Sequence, residues 1–482
     1  MKYLCIHGHF YQPPREEPET GQIKEQPSAA PFHDWNQRIN HECYRSNWQA
    51  KIVNEQGETT HHIDNYAFIS YNFGPTLLRW LELEDPETHH AIVYSDQRSV
   101  QRFGEGSAMA QVYHHAILPL CSERDKRTEV LWGLADFRYR FGREARGIWL
   151  AETAVDLASL EVLAELGVQF TLLAPRQAAA VASIDKEDWT EVQAHTVDSS
   201  QPYLVSLPSG RSIVVFFYDG QAAQSVAFGG ALDNGEQFAR DLLAQSRKLE
   251  ENGLLHFATD GESYGHHHRY GEMALGYCLK TILEQSELVL CNYAQYIQKF
   301  PPKMRAKIQP VSSWSCSHGI GRWSQNCGCV IDPKMAGKQE WRVGLRESLN
   351  WLRDQLSIEF EQEAGRLLRD PWRVRDQWKE AELRGEILAL YEQFSIDELA
   401  EEAKTELQRL YAIQENALKM FTSCGWFFDD PAGLETRQIL KYAKQAIALS
   451  RLDIEADFVD RIRVMISSVE EGLDGEGIWR SL

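Results

Sequence analysis

The sequence predicts an α/β fold built on a parallel sheet and followed by an α-helical C-terminal domain, and three observations carry this. From the start to about residue 300, short β-rich runs alternate with helical patterns, as chains of βα units do. Beyond about residue 335 the chain turns to long segments rich in Glu, Leu, Arg, Gln and Ala, punctuated by Pro371 and Pro431. Between them, residues 310–334 hold Trp, Ser, Gly and three cysteines without periodicity, which reads as an ordered loop region.

Candidate strands are 2–9, 91–95, 147–151, 168–174, 212–218, 254–259 and 287–291. The clearest unit starts at Gly147-Ile148-Trp149-Leu150 and continues through a helix with Leu157, Leu160 and Leu163 near helical spacing. It stops at Gly167 and returns as the apolar run from Val168 to Leu173, a βαβ crossover. With 482 residues, 43% of them hydrophobic, the chain has material for a large core and two or three domains.

A net charge of −20 and a pI near 5.3 give a surface that repels phosphate backbones and anionic lipid. Neutral substrates fit such a surface better than nucleic acid or a bare membrane. The apolar stretch at the N-terminus is too short for a signal peptide, and no apolar run approaches the roughly 18 residues of a membrane span. Nine mostly scattered cysteines do not resemble a secreted disulfide framework, so a reducing cytoplasm is expected.

In a β/α barrel the chemistry sits at the C-terminal ends of the strands. His7 and His9 end the first strand and, two apart, share one face. Glu152 follows the Ile148-Trp149-Leu150 run, and Asp260 and Glu262 follow the run ending at Thr259. Two carboxylates at the ends of distant strands are what glycoside hydrolysis requires on either side of a scissile bond. A single strand-end carboxylate can equally cap the next helix, so position alone leaves both readings open.

Ordered motifs sharpen the choice. Ile6-His7-Gly8-His9-Phe10-Tyr11-Gln12-Pro13, Tyr71-Asn72-Phe73-Gly74-Pro75, His114-His115-Ala116-Ile117-Leu118-Pro119, Gly147-Ile148-Trp149-Leu150-Ala151-Glu152 and Thr259-Asp260-Gly261-Glu262-Ser263-Tyr264-Gly265-His266 occur in sequence. Together they resemble glycoside hydrolase family 57, in the branch with an attached domain of unknown function, DUF3536. The stretch from Thr422 to Asp430 resembles that attached domain. Two departures are Ala151, where the family often has Pro, and Tyr11, interposed in the first motif.

The resemblance implies an incomplete, TIM-like (β/α)7 barrel over residues 1–309, the loop region 310–334, and a helical DUF3536-like domain over 335–482. It implies a retaining glycoside hydrolase or glucanotransferase acting on α-linked oligo- or polysaccharides, with Glu152 as nucleophile, Asp260 as general acid/base and no catalytic metal. Expected sugar contacts are His7, His9, His115, Trp149, Glu262, His266 and Trp314, because imidazoles both donate and accept and aromatic faces stack on sugar rings.

Two rival readings follow from the same residues. His7, His9, Asp260 and His266 could form the metal site of a polysaccharide deacetylase or an α-mannosidase-like enzyme. Alternatively the barrel is a silent scaffold in a glucan-binding or regulatory protein. Cys316, His318, Cys327 and Cys329 are also potential zinc ligands, but their Cys-x-Cys spacing is unlike the common Cys-x2–4-Cys knuckle, and no cofactor is expected.

Overall fold

The computed structural model describes residues 1–285, 287–465, 467 and 472–482. Seven parallel strands follow the barrel order. Strand β1 (Lys2–Phe10) pairs with β2 (Ser70–Phe73) on one edge and with β7 (Leu254–Asp260) on the other. Strand β2 continues to β3 (Ala108–Gln111), and β3 to β4 (Ile148–Trp149). A single parallel bridge, Gly147 to Phe170, hands the sheet to β5 (Phe170–Leu173), which pairs with β6 (Ser212–Phe217).

No ladder joins β6 to β7 among the described residues, and the ring stays incomplete there. The seam is crossed by the Asp219 amide, which donates to the His256 carbonyl at 2.8 Å. Outward from β6 the sheet is extended by Tyr203–Ser206, Met304–Ile308 and Ala178–Ser183. Leu288–Leu290 pairs with the first residues of β1, at the foot of the barrel.

Expected strands 2–9, 147–151, 168–174, 212–218, 254–259 and 287–291 all coincide with or overlap observed strands. The exception is 91–95, which lies inside the helix Pro86–Phe103. The β-branched and aromatic run Ile92-Val93-Tyr94 suggested a strand by propensity. The helix wins through its ends and its period: Asp85 accepts from the Thr88 amide as N-cap, Pro86 opens the first turn, and Gly104 closes it at φ +79°. Ile92, Ser95, Asp96, Ser99 and Phe103 then form its buried stripe. Strands β2 and β3 went unanticipated because each is four residues long and carries polar Ser70, Asn72 or Gln111, so neither reads as an apolar run.

The C-terminal region is helical, with its longest helices at Trp341–Ala364, Glu401–Lys419 and Leu434–Leu449. Its apolar core is not its own. The cluster formed by Leu349, Leu352, Phe360 and Leu410 also takes in Tyr113, Ala116, Ile117 and Trp132 of the barrel, together with Ala151 and Ala154. Polar ties cross the same junction. The buried Arg375 guanidinium donates to Asp125 Oδ1 and Thr128 Oγ1, both at 2.9 Å, and the Trp132 indole donates to the Arg375 carbonyl at 2.9 Å. Buried Lys379 donates to Glu415 at 3.0 Å and also pairs with Glu382, while its ammonium lies 5.0 Å from the Trp132 ring centre. Among the described residues no helix is long and apolar enough to cross a membrane.

Helix Glu123–Phe141 makes the junction possible by packing against β3 at Gly133, where an added Cβ would fall on the Gln111 carbonyl oxygen. Gly133→Ala must therefore push helix and strand apart, with a loss of about 1–3 kcal/mol typical of overpacking. A lowered urea midpoint is expected; a midpoint equal to wild type would show that the contact yields freely.

Candidate active site

Glu152 sits just past the end of β4, in the turn Ala151–Thr153, with a left-handed backbone of φ 57° and ψ 22°; Thr153 follows at φ 48°. Non-glycine residues adopt such angles at a cost of about 1–3 kcal/mol, so the surroundings must impose them. They do so from several sides. The Trp314 amide donates to the Glu152 carbonyl at 3.0 Å, and the Gln177 side chain exchanges hydrogen bonds with the Thr153 hydroxyl and carbonyl, each 2.8 Å. Ala151 and Ala154 on either side are locked into the helical core.

The turn delivers the carboxylate into a cleft of about 510 Å³, shared with Asp260 at the end of β7. Trp314, Ser315 and Arg322 line it from the loop region, Tyr218 and Phe228 from the segment after β6, and Phe427 from the helical domain. Glu152 Oε2 accepts from the Trp314 indole at 2.9 Å and from the Ser315 hydroxyl at 2.6 Å. Burial pushes the Glu152 carboxyl up, while these two donors and the Arg322 charge pull it back toward the ionised form.

Among the described residues, Asp260 has no such donors. It stands open to the solvent of the cleft but is ringed by protein, and that confinement, with the Glu152 charge, pushes it up to about 7. Cleft water moderates the shift. Asp260 thus feels the like charge of Glu152, and Glu262 in turn feels that of Asp260. Both carboxyls are raised, but Glu152 alone has donors that favour its ionised form, a difference of the kind that acid/base chemistry uses.

Of the residues singled out from sequence, Glu152, Asp260 and Trp314 come together on this cleft, while the other six lie behind or beside it. His7, His9, Trp149 and His115 make a stacked layer. The His9 ring lies 4.8 Å from Trp149 and 5.2 Å from His115, and Trp149 meets the edge of Trp314 at 5.0 Å. Trp149 is wholly buried and offers no open face to a ligand. His7 is spoken for by Ser70 Oγ at 3.1 Å and Asn72 Oδ1 at 3.0 Å, and the Asn72 amide donates to His9 Nδ1 at 2.9 Å. Burial lowers His7 and His115 to about 3, so both are neutral.

His115 reaches the helical domain through Ser423 Oγ at 2.7 Å. Glu262, pushed up to about 8 mainly by burial, accepts from the Tyr44 hydroxyl at 2.6 Å and the Tyr11 amide at 3.0 Å and so braces the end of β1. His266 pairs with Glu42, away from His7 and His9. Among the described residues, His7, His9, Asp260 and His266 do not gather around one point as a metal would need.

Sequence reasoning missed Ser315, Arg322, Tyr218, Phe228 and Phe427. Ser315 was readable as the neighbour of Trp314; the others reach the cleft by tertiary placement from segments without a strand-end signal. Ser315→Ala removes a donor to the ionised carboxylate, so the Glu152 pKa should rise further, as read by carbon NMR of the labelled side chain. An unchanged pKa would mean that Trp314 alone holds the charge.

Two family models match the chain: "Glycosyl hydrolase family 57" over residues 19–309 and "Domain of unknown function (DUF3536)" over residues 338–482. An α-amylase of Pyrococcus horikoshii is 25% identical over 254 residues, which are 51% of this chain and 36% of that protein. A 4-α-glucanotransferase of Thermococcus litoralis is 21% identical over 254 residues, 51% of this chain and 34% of that one. The chain thus spans about a third of the length of these curated relatives. The solved exo-type maltose-forming amylase of Pyrococcus sp. ST04 superposes with a TM-score of 0.63 at 15% identity, covering all of this chain and 88% of the other, and so shares the fold. With the first model matched from β2 through β7, across both carboxylate motifs and more than half of the chain, this chain belongs to glycosyl hydrolase family 57.

Proposed function

We propose that the protein is a retaining glycoside hydrolase or glucanotransferase acting on α-linked glucans, with Glu152 as nucleophile and Asp260 as general acid/base. The observation that carries this reading is the shared cleft, in which, among the described residues, Glu152 accepts two side-chain hydrogen bonds and Asp260 accepts none. The α-glucan assignment draws on family membership and on relatives named α-amylase and 4-α-glucanotransferase. The nine free cysteines favour a reducing cytoplasm as its setting.

In the first step a Glu152 oxygen bonds to the anomeric carbon while the glycosidic C–O bond breaks, and protonated Asp260 gives its proton to the departing oxygen. In the second, ionised Asp260 takes a proton from water or from a sugar hydroxyl, whose oxygen displaces Glu152. The first acceptor gives hydrolysis and the second gives transfer. His7, His9 and His115 serve as a neutral, rigid backing for Trp314 and hence for the nucleophile. Phe228, 85% exposed at the lip of the cleft, is suited to stack on a sugar face.

Glu152→Gln should keep the fold and lower kcat on an α-glucan on the order of 10⁴-fold or more. A fluorinated α-glucosyl fluoride should label wild type at Glu152, as mapped by peptide mass spectrometry; a label elsewhere, or turnover by the variant near wild type, would sink the assignment.

The acid role makes kcat/KM fall as pH rises through about 7 and Asp260 loses its proton. Stability has the same sign: a folded pKa raised from 3.8 to about 7 contributes stability that is complete below 3.8 and lost as pH rises through about 7. Asp260→Asn should flatten that loss in urea titrations taken across this window, and a variant whose pH slope matched wild type would contradict it.

A further inference from the structure

The loop that supplies Trp314, Ser315 and Arg322 to the cleft carries a cluster that the proposed chemistry does not use. Cys316 Sγ lies 3.8 Å from Cys327 Sγ and 3.8 Å from Cys329 Sγ, and Cys329 Sγ lies 3.5 Å from His318 Nδ1. The four ligand atoms all fall within 4.8 Å of one another. A disulfide needs a sulfur separation of about 2.05 Å, so these are free thiols held near each other without a covalent link.

Elementary geometry says what such spacing suits. A tetrahedral zinc ion with Zn–S of about 2.3 Å and Zn–N of about 2.0–2.1 Å has S···S edges of about 3.8 Å and S···N edges of about 3.5 Å. Three of the six ligand-to-ligand distances equal edges of that tetrahedron, and all six fall within 4.8 Å. We propose that Cys316, Cys327 and Cys329, as thiolates, and His318, through Nδ1, bind one Zn²⁺ ion in a closed four-coordinate site that fastens the loop from Trp314 to Cys329.

The surroundings match such an ion. Three thiolates and Zn²⁺ leave one net negative charge, and the buried Arg342 guanidinium stands beside it, donating to the Cys329 carbonyl at 2.7 Å. The short Cys-x-Cys spacing that argued against a knuckle is accommodated by Gly328, whose φ of +82° turns the chain tightly between the two cysteines.

Thiolate and imidazole in tetrahedral array select zinc over hard cations, and four protein ligands leave no open position for substrate or water. The ion is therefore structural. It sits one residue beyond Ser315, whose hydroxyl holds Glu152, and Arg322 of the cleft wall lies between its second and third ligands. This inference does not depend on the proposed glycosidase activity, since its readout is metal content.

The test is elemental analysis of the full chain produced in zinc-sufficient medium and dialysed, with X-ray absorption at the zinc edge. One zinc per chain is expected, with three sulfurs near about 2.3 Å and one nitrogen near about 2.0 Å. Cys327→Ser should lose most of the metal, whereas Cys121→Ser, outside the cluster, should keep it. If Cys327→Ser fails to fold, zinc released from wild type by a thiol-blocking mercurial and counted with a chromogenic chelator gives the same ratio. Iron in place of zinc, less than about a tenth of an equivalent of zinc, or an intact mass two hydrogens lower from a disulfide within the cluster would each overturn the proposal.

Discussion

The site depends on one constraint, the left-handed turn that holds Glu152. A residue with a Cβ does not stay there unaided, and every part of the molecule contributes to keeping it. Strand β4 brings the chain to the rim, the Trp314 amide pins the carbonyl, Gln177 pins the next residue, and Ala151 and Ala154 are set into the helical core. The same loop that pins the backbone also supplies both donors to the carboxylate, so the loop that sets its position also favours its ionised form against the effect of burial. Strain at Glu152 is thereby matched by packing far from it.

This arrangement explains why barrel and helices are not independent modules. Helix Glu123–Phe141 is shared, one face on β3 and the other on the helix Pro371–Arg384, and the loop after β3 reaches Ser423 through His115. Phe427 carries the helical domain into the cleft wall, where it stacks under Arg322 at 4.1 Å. The attached domain thus helps to shape the space beside Glu152.

Much of this was legible in the sequence where a local rule operates. Strand β1 announced itself by continuous apolar character with His7 and His9 in alternation, and both carboxylates stood out by following strands. The failures have physical causes. Residues 91–95 have strand propensity but helical ends, and the ends prevail because they satisfy the backbone of a whole helix. Strands β2 and β3 hide because their inward side chains, Asn72 and Gln111, bond to each other at 2.8 Å inside the barrel instead of packing as hydrocarbons. The histidine layer, anticipated as sugar contacts, lies buried, tied to Asn72 and stacked on Trp149, placements that follow from tertiary packing and not from strand-end position. Nothing local could reveal Phe427, which reaches the cleft only once the helices have docked.

The buried ion pairing of Lys379 with Glu415 and Glu382, covered by Tyr113 and Trp132 of the barrel, bears on heat. Hydration of charged groups becomes less favourable as temperature rises, so the desolvation cost of a buried ion pair shrinks while apolar contacts gain little more. The junction between barrel and helices is therefore fastened by an interaction whose desolvation cost falls on warming, beside an apolar core that the two parts share.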